Sequence, residues 1–173
     1  IKQNIDAACK KSGRNSDDVM LLAVTKTRTA DQINEVIQCG VVNIGENRVQ
    51  EFLEKKDKLL LDGVQKHLIG HLQTNKVKFV VGKVDLIQSV DSLRLLEAIQ
   101  KQAEKIGCVQ DILLEVNVAL QESKSGFTLE ELPSVLEKMG AFSNIRVACK
   151  SYNFIFFVSL FYDKTRINGF YSY

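Results

Sequence analysis

The stretch "VMLLAVTKTRTADQINEVIQCGVVNIG", residues 19–45, decides the fold. It opens on an apolar run, 19–24, and passes into Thr25-Lys26-Thr27-Arg28. Thr29 and Gln32 then stand at capping-box spacing. Ala30, Ile33, Val36 and Ile37 follow at helical spacing, and Gly40 supplies a C-terminal stop. A second apolar run, 41–45, comes directly after. Strand, helix and strand in so short a span is the signature of a parallel βα unit.

The same alternation continues outward. Apolar runs of strand type recur at 67–70, 84–90, 111–118 and 145–147. Between them, 91–107 carries the stripe Leu93, Leu96, Ile99 and Ala103, with Asp91 as the expected cap and Gly107 as the stop. In 128–140 the stripe is Leu132, Val135, Leu136 and Met139. Pro133 moves the start of that helix to near Leu132, because proline suits a first turn and not an interior. Residues 48–61 and 76–82 read as further helices, and 1–12 as a weaker one. Strands rich in Val, Ile and Leu on both faces suit a parallel sheet covered by helices. Two architectures fit: an open doubly wound sheet or a (β/α) barrel. No GxGxxG and no GxxxxGK[ST] follows a strand, which weakens a nucleotide-binding version. A full barrel has eight strands and typically about 250 residues, and this chain has 173.

Composition sets the function classes aside from which to choose. The chain is 45% hydrophobic and 25% charged, with net charge +2. Lysines are dispersed among carboxylates, so no patch argues for nucleic acid. The four cysteines show no CxxC and no metal spacing, and read as reduced thiols of a cytoplasmic-type chain. No apolar run reaches the roughly 20 residues of a membrane span. The polar start Ile1-Lys2-Gln3-Asn4 is not that of a signal peptide, and the absence of an initiator Met points to truncation or processing. One shift in composition stands out. All four tyrosines and five of the nine phenylalanines lie after Lys150, and "FIFFVSLFY" fills 154–162.

In parallel α/β folds, ligands bind beyond the carboxyl ends of the strands. The polar residues expected there are Lys26 after the first strand, Glu46-Asn47-Arg48 after the second, and His67 with Gly70-His71 on and after the third. Ser89 and Asp91 follow the fourth; Asn117 and "ESKSG", 122–126, follow the fifth. Each also has a plain reading: Lys26 as a solvated loop lysine, Glu46-Asn47 as a helix cap, "SKSG" as a turn, His71 as a structural histidine. His67 and His71 are four apart, yet no third ligand is apparent, which argues against zinc. Residue chemistry alone thus gives a small-molecule site at a strand-end face.

In this order, "AVTKTR", "IGENRVQE", "HLIGHLQTNK", "QSVDS", "LLEVNV" and "ESKSGF" strongly resemble the pyridoxal phosphate homeostasis (YggS/PROSC) family, over about residues 1–147. The resemblance implies a (β/α) TIM-type barrel similar to the alanine racemase N-terminal domain, incomplete at its C-terminal end. It implies a protein that binds pyridoxal 5′-phosphate and takes part in its intracellular homeostasis without turnover. Lys26 would form the Schiff base with the cofactor, Asn47 and His67 would line the pocket beside the pyridine ring, and Lys124 would be accessory. The implied partners are the cofactor and apo enzymes that depend on it, the implied state a cytoplasmic monomer.

The family pattern stops at Val147. There it continues with a Gly-Leu-Met strand and two further βα units, which bind the cofactor phosphate and face the pyridine nitrogen. Here 148–173 is a divergent, aromatic-rich tail. Splicing, intron read-through or a frameshift would explain both the break in pattern and the break in composition. The expectation is a barrel domain at 1–147 with an open edge, and a tail that is less well ordered than the segments before it or pairs irregularly with that edge, supplying at most one substitute strand through 154–162. Two other readings stand beside this one. A racemase-like enzyme would need a second acid–base group on the opposite ring face, and no tyrosine precedes Tyr152. A truncated isoform that no longer binds cofactor is the other.

Overall fold

The computed structural model describes residues 1–117, residues 125–148 and the backbone of residues 155–159. Helix α1 (Lys2–Ser12) precedes β1 (Met20–Val24), α2 (Ala30–Gln38), β2 (Asn43–Glu46), α3 (Val49–Lys55) and β3 (Gln65–Leu68). Then come β4 (Leu86–Val90), α4 (Leu93–Ile106), β5 (Gln110–Leu114), α5 (Leu132–Met139), β6 (Ile145–Val147) and β7 (Ile155–Ser159).

The strands make one sheet in the order β6-β5-β4-β3-β2-β1-β7. Every pairing is parallel. From β1 to β6 each strand is added on the same side of the last. A doubly wound sheet reverses that direction at a switch point; this one does not, so its winding is that of a barrel wall. β7 lies on the other side of β1, where a closing strand belongs. Met20 to Val24 pair with Ile155 to Ser159 in five consecutive steps without a register shift. The tail therefore supplies the one substitute strand expected of it, and over residues 155–159 the alternative of irregular pairing does not hold. The residues that look foreign by composition are β-branched and aromatic, which favours a strand. Among the described residues the sheet stays open between β6 and β7.

One face of the sheet is covered by helices. Leu68, Ile87 and Ile112 pack there against Leu95, Leu96, Ile99 and Ala103 of α4. Each of the leucines and isoleucines contributes about 1.5–3 kcal/mol by leaving water. Ile44 packs with Ile33 of α2 in a smaller cluster.

The local signals hold with shifts of a residue or two. At α2 both capping-box bonds form: Gln32 N–H donates to Thr29 Oγ1 at 3.3 Å, and Thr29 N–H to Gln32 Oε1 at 3.2 Å. At α4 the cap is Ser92, not Asp91, whose carboxylate instead takes the Ser92 hydroxyl and the His71 ring. Thr128 and Glu131 bond reciprocally one turn ahead of α5, and Pro133 sits in its first turn as expected. The helix expected at 76–82 is a 3₁₀ helix, Thr74–Phe79.

Candidate functional site

Parallel pairing puts the carboxyl ends of all strands on one edge. Val24 pairs with Gly45, Gly45 with His67, and His67 with Leu86. The neighbouring row, Glu46, Leu68 and Ile87, contains the residues packed on the helices. Alternation along a strand therefore places Val24, Gly45 and His67 on the opposite, inner face. Lys26 and Asn47 each stand two residues beyond this row, at the same edge. The structure thus brings Lys26, Asn47 and His67 to one end of the sheet. Lys124 lies outside the described residues.

His67 is 4% exposed. Gln88 Nε2 lies 2.8 Å from its Nδ1. An amide nitrogen only donates, so Nδ1 accepts and the ring hydrogen sits on Nε2. Burial pushes the ring pKa down to about 4, with the Asp85 carboxylate opposing the shift. His67 is therefore a neutral donor at physiological pH. Its Nε2–H finds no partner among the described residues.

Asn47 does not cap α3. The cap position is Arg48, and no side chain caps that helix. The Asn47 amide makes no hydrogen bond among the described residues. Its backbone lies against Gly70, where an added Cβ would overlap the Asn47 carbonyl oxygen. The Ser89 hydroxyl donates to the Gly70 carbonyl at 2.6 Å, extending the contact to β4. The glycine of "HLIG" thus lets the ends of β2 and β3 approach. His71, read from sequence as structural, is 62% exposed and its Nδ1 lies 3.1 Å from Asp91 Oδ2.

Lys26 is half-buried at position i+1 of a turn closed by Arg28 N–H donating to the Thr25 carbonyl at 3.2 Å. Position i+2 is Thr27, with φ +62°. That is a left-handed conformation, usual for glycine and costly by about 1–3 kcal/mol for a β-branched residue. Glu51 Oε2 accepts the Thr27 N–H at 2.9 Å. This bond, above all, holds the Glu51 carboxyl below its ordinary range, against burial and with help from Lys55 and Arg48. Lys55 Nζ donates to Glu46 Oε1 at 2.9 Å and to the Thr25 carbonyl at 3.2 Å, and lies 3.4 Å from Glu51 Oε2. The Thr25 hydroxyl donates to Glu46 Oε1 at 2.7 Å. Both carboxylates are thus engaged by Lys55, and Lys26 makes no hydrogen bond or ion pair among the described residues.

The opposite end of the sheet is different. There the Gln110 amide is saturated by Gly82 N–H and by the Val84 and Asp111 carbonyls. Arg146 grips Asp111 through two bonds. At the carboxyl edge, an amine, an amide and an imidazole N–H remain unengaged among the described residues. Sequence reasoning missed Gln88, Glu51 and Lys55. A glutamine inside the apolar run "VDLIQSV" was the available signal for the first, and i,i+4 spacing of opposite charges for the pair.

This class of scaffold and edge has clear relatives. The chain belongs to the alanine racemase N-terminal domain family, whose model matches residues 1–155. Within it, the pyridoxal phosphate homeostasis protein of Aquifex aeolicus is 43% identical over 147 residues, 85% of this chain and 64% of that protein. That of Escherichia coli is 32% identical over 150 residues, again 85% and 64%. The chain thus spans about two-thirds of the length of these relatives. PipY of Synechococcus elongatus, solved with pyridoxal phosphate bound, superposes with TM-score 0.69 at 29% identity, over 83% of this chain and 66% of that one. Alanine racemase of Clostridium difficile, at 12% identity and TM-score 0.63 over 84% of this chain and 37% of the racemase, shares the fold. Among the described residues no helix is long and apolar enough to cross a membrane, and no three His, Cys, Asp or Glu side chains cluster as for a metal.

Proposed function

We propose that this chain binds pyridoxal 5′-phosphate at the carboxyl edge of its sheet, held as a Schiff base on Lys26, and serves in homeostasis of the cofactor. The observation that carries this reading is the trio of polar groups on Lys26, Asn47 and His67 that find no partner among the described residues. The donor set fits the group. The cofactor, when bound, supplies an aldehyde; a deprotonated lysine nitrogen adds to such a carbon, one water leaves, and no redox change occurs. Asn47 and the Nε2–H of His67 offer neutral hydrogen bonds beside that position, orienting an aromatic ring without adding charge.

The same geometry favours a carrier over an enzyme. Racemisation needs a second acid–base group with a pKa near the working pH. His67, at about 4, is a weak base and stays neutral. The binding unit is residues 1–147, with 148–173 as a divergent tail. The protein acts as a cytoplasmic monomer that passes the cofactor to apo enzymes.

The test is an absorbance spectrum of the chain with pyridoxal 5′-phosphate, then borohydride reduction and peptide mapping. A Schiff-base band and a pyridoxyl label on Lys26, both abolished in Lys26→Ala, are expected. A label on another lysine with Lys26 unmodified sinks the assignment. Incubation with D- or L-alanine should give no racemisation; measurable turnover would remove the carrier reading.

A further inference from the structure

We propose that Glu51 and Lys55, one turn apart on α3, are positioning residues that hold Lys26 in its presented conformation. The proposal rests on Lys26 as the attachment point and extends it to the residues that fix that lysine. Two peptide planes meet at the Lys26 Cα, and their rotation sets its φ and ψ. The plane before it carries the Thr25 carbonyl, which accepts from Lys55 Nζ at 3.2 Å. The plane after it carries the Thr27 N–H, which donates to Glu51 Oε2 at 2.9 Å. Each plane is thus pinned by a side chain of the same helix. The pinning is needed because Thr27 at φ +62° is not self-sustaining in a β-branched residue.

The clamp also sets where Lys26 stands relative to the next strand. Lys55 Nζ reaches Glu46 Oε1 at 2.9 Å, and Thr25 Oγ1 reaches the same oxygen at 2.7 Å. Glu46 is 3% exposed and directly precedes Asn47. One ammonium therefore ties the Lys26 turn to the end of β2. Because Lys55 serves both carboxylates, neither Glu46 nor Glu51 pairs with the Lys26 amine that the fixed turn presents. Glu51 and Lys55 lie on the helix-facing side and act through Lys26; neither is assigned contact with cofactor.

The test uses the 173-residue chain and the variants Glu51→Ala, Glu51→Gln and Lys55→Met. The first readout is amide hydrogen exchange at Thr27 with no aldehyde present. The second is the rate of borohydride-trapped pyridoxal phosphate labelling at Lys26, relative to exposed Lys101 of α4. In Glu51→Ala, Thr27 exchange should rise and relative Lys26 labelling should fall, each about tenfold, as for loss of a charge-assisted bond. Lys55→Met should lower relative labelling similarly. Glu51→Gln keeps an acceptor oxygen and should retain most of the wild-type behaviour, and it carries the comparison if Glu51→Ala does not fold. Unchanged relative labelling in Glu51→Ala and Lys55→Met, with Lys26 labelled in the wild type, overturns the clamp and leaves the attachment point standing. If the wild type is labelled elsewhere, the attachment reading fails, and Thr27 exchange alone decides: unchanged exchange in Glu51→Ala overturns the clamp, accelerated exchange supports it.

Discussion

His67 shows how much one residue carries. Its place on the third strand, near the binding edge, was legible from "HLIG" alone. Its protonation and tautomer were not, because both depend on Gln88 and on burial by segments far along the chain. The folded pKa, about 4, lies below the ordinary 6.5. Between those values the unfolded chain binds a proton that the folded chain does not, so ν_U exceeds ν_N and stability rises with pH. The stabilisation is complete above about pH 6.5 and is lost as pH falls towards 4, by on the order of 3 kcal/mol. Urea titrations from pH 7 to 4 should show that loss, and His67→Gln should flatten it; an unchanged slope in the variant would assign the loss to other groups. Gly70 makes the second case. Its Cβ would meet the Asn47 backbone, which cannot swing aside as a side chain can. Gly70→Ala should destabilise by about 1–3 kcal/mol, as overpacking does, and should weaken cofactor binding by displacing Asn47. Thermal melts and a titration read both effects.

At the scale of elements, the amphipathic helices were the most legible, since their stripes are local. α2 and α4 fall within a residue or two of where spacing and stops put them. The Thr74–Phe79 segment was harder: a stretch too short for a stable α-helix is decided by packing. The Lys26 turn was hardest. Nothing local in "TKTR" marks a left-handed threonine, because the bond that holds it comes from α3, 24 positions on. β7 is the reverse case, with strand character plain in "FIFFVSLFY" and its partner unreadable. It takes the β1 edge that would otherwise expose unpaired N–H and C=O groups. A chain ending at Ala148 should therefore show faster amide exchange in Met20–Val24 and a greater tendency to associate, read by exchange mass spectrometry and light scattering. Equal protection of β1 in both chains would mean that β7 is not needed there.

For the whole molecule, strand order does what composition could not: additions in one direction from β1 to β6 separate a barrel wall from a doubly wound sheet. The wall already holds Lys26, Asn47 and His67, contributed by the turns after the first two strands and by the third strand. The family resemblance assigns the phosphate to elements after Val147, where this chain carries its divergent tail. If the proposed reading holds, ring recognition and phosphate recognition are separable in this molecule. A phosphate held by charge-assisted hydrogen bonds gains about 1.5–3 kcal/mol from each, so a complete site should prefer pyridoxal 5′-phosphate over pyridoxal by a hundredfold or more. This chain should show a preference below about tenfold, and the longer Aquifex aeolicus relative is expected to show the full one. Equilibrium titration of both proteins with both aldehydes measures the difference directly. A preference as large here as in the relative would place a working anion site within residues 148–173.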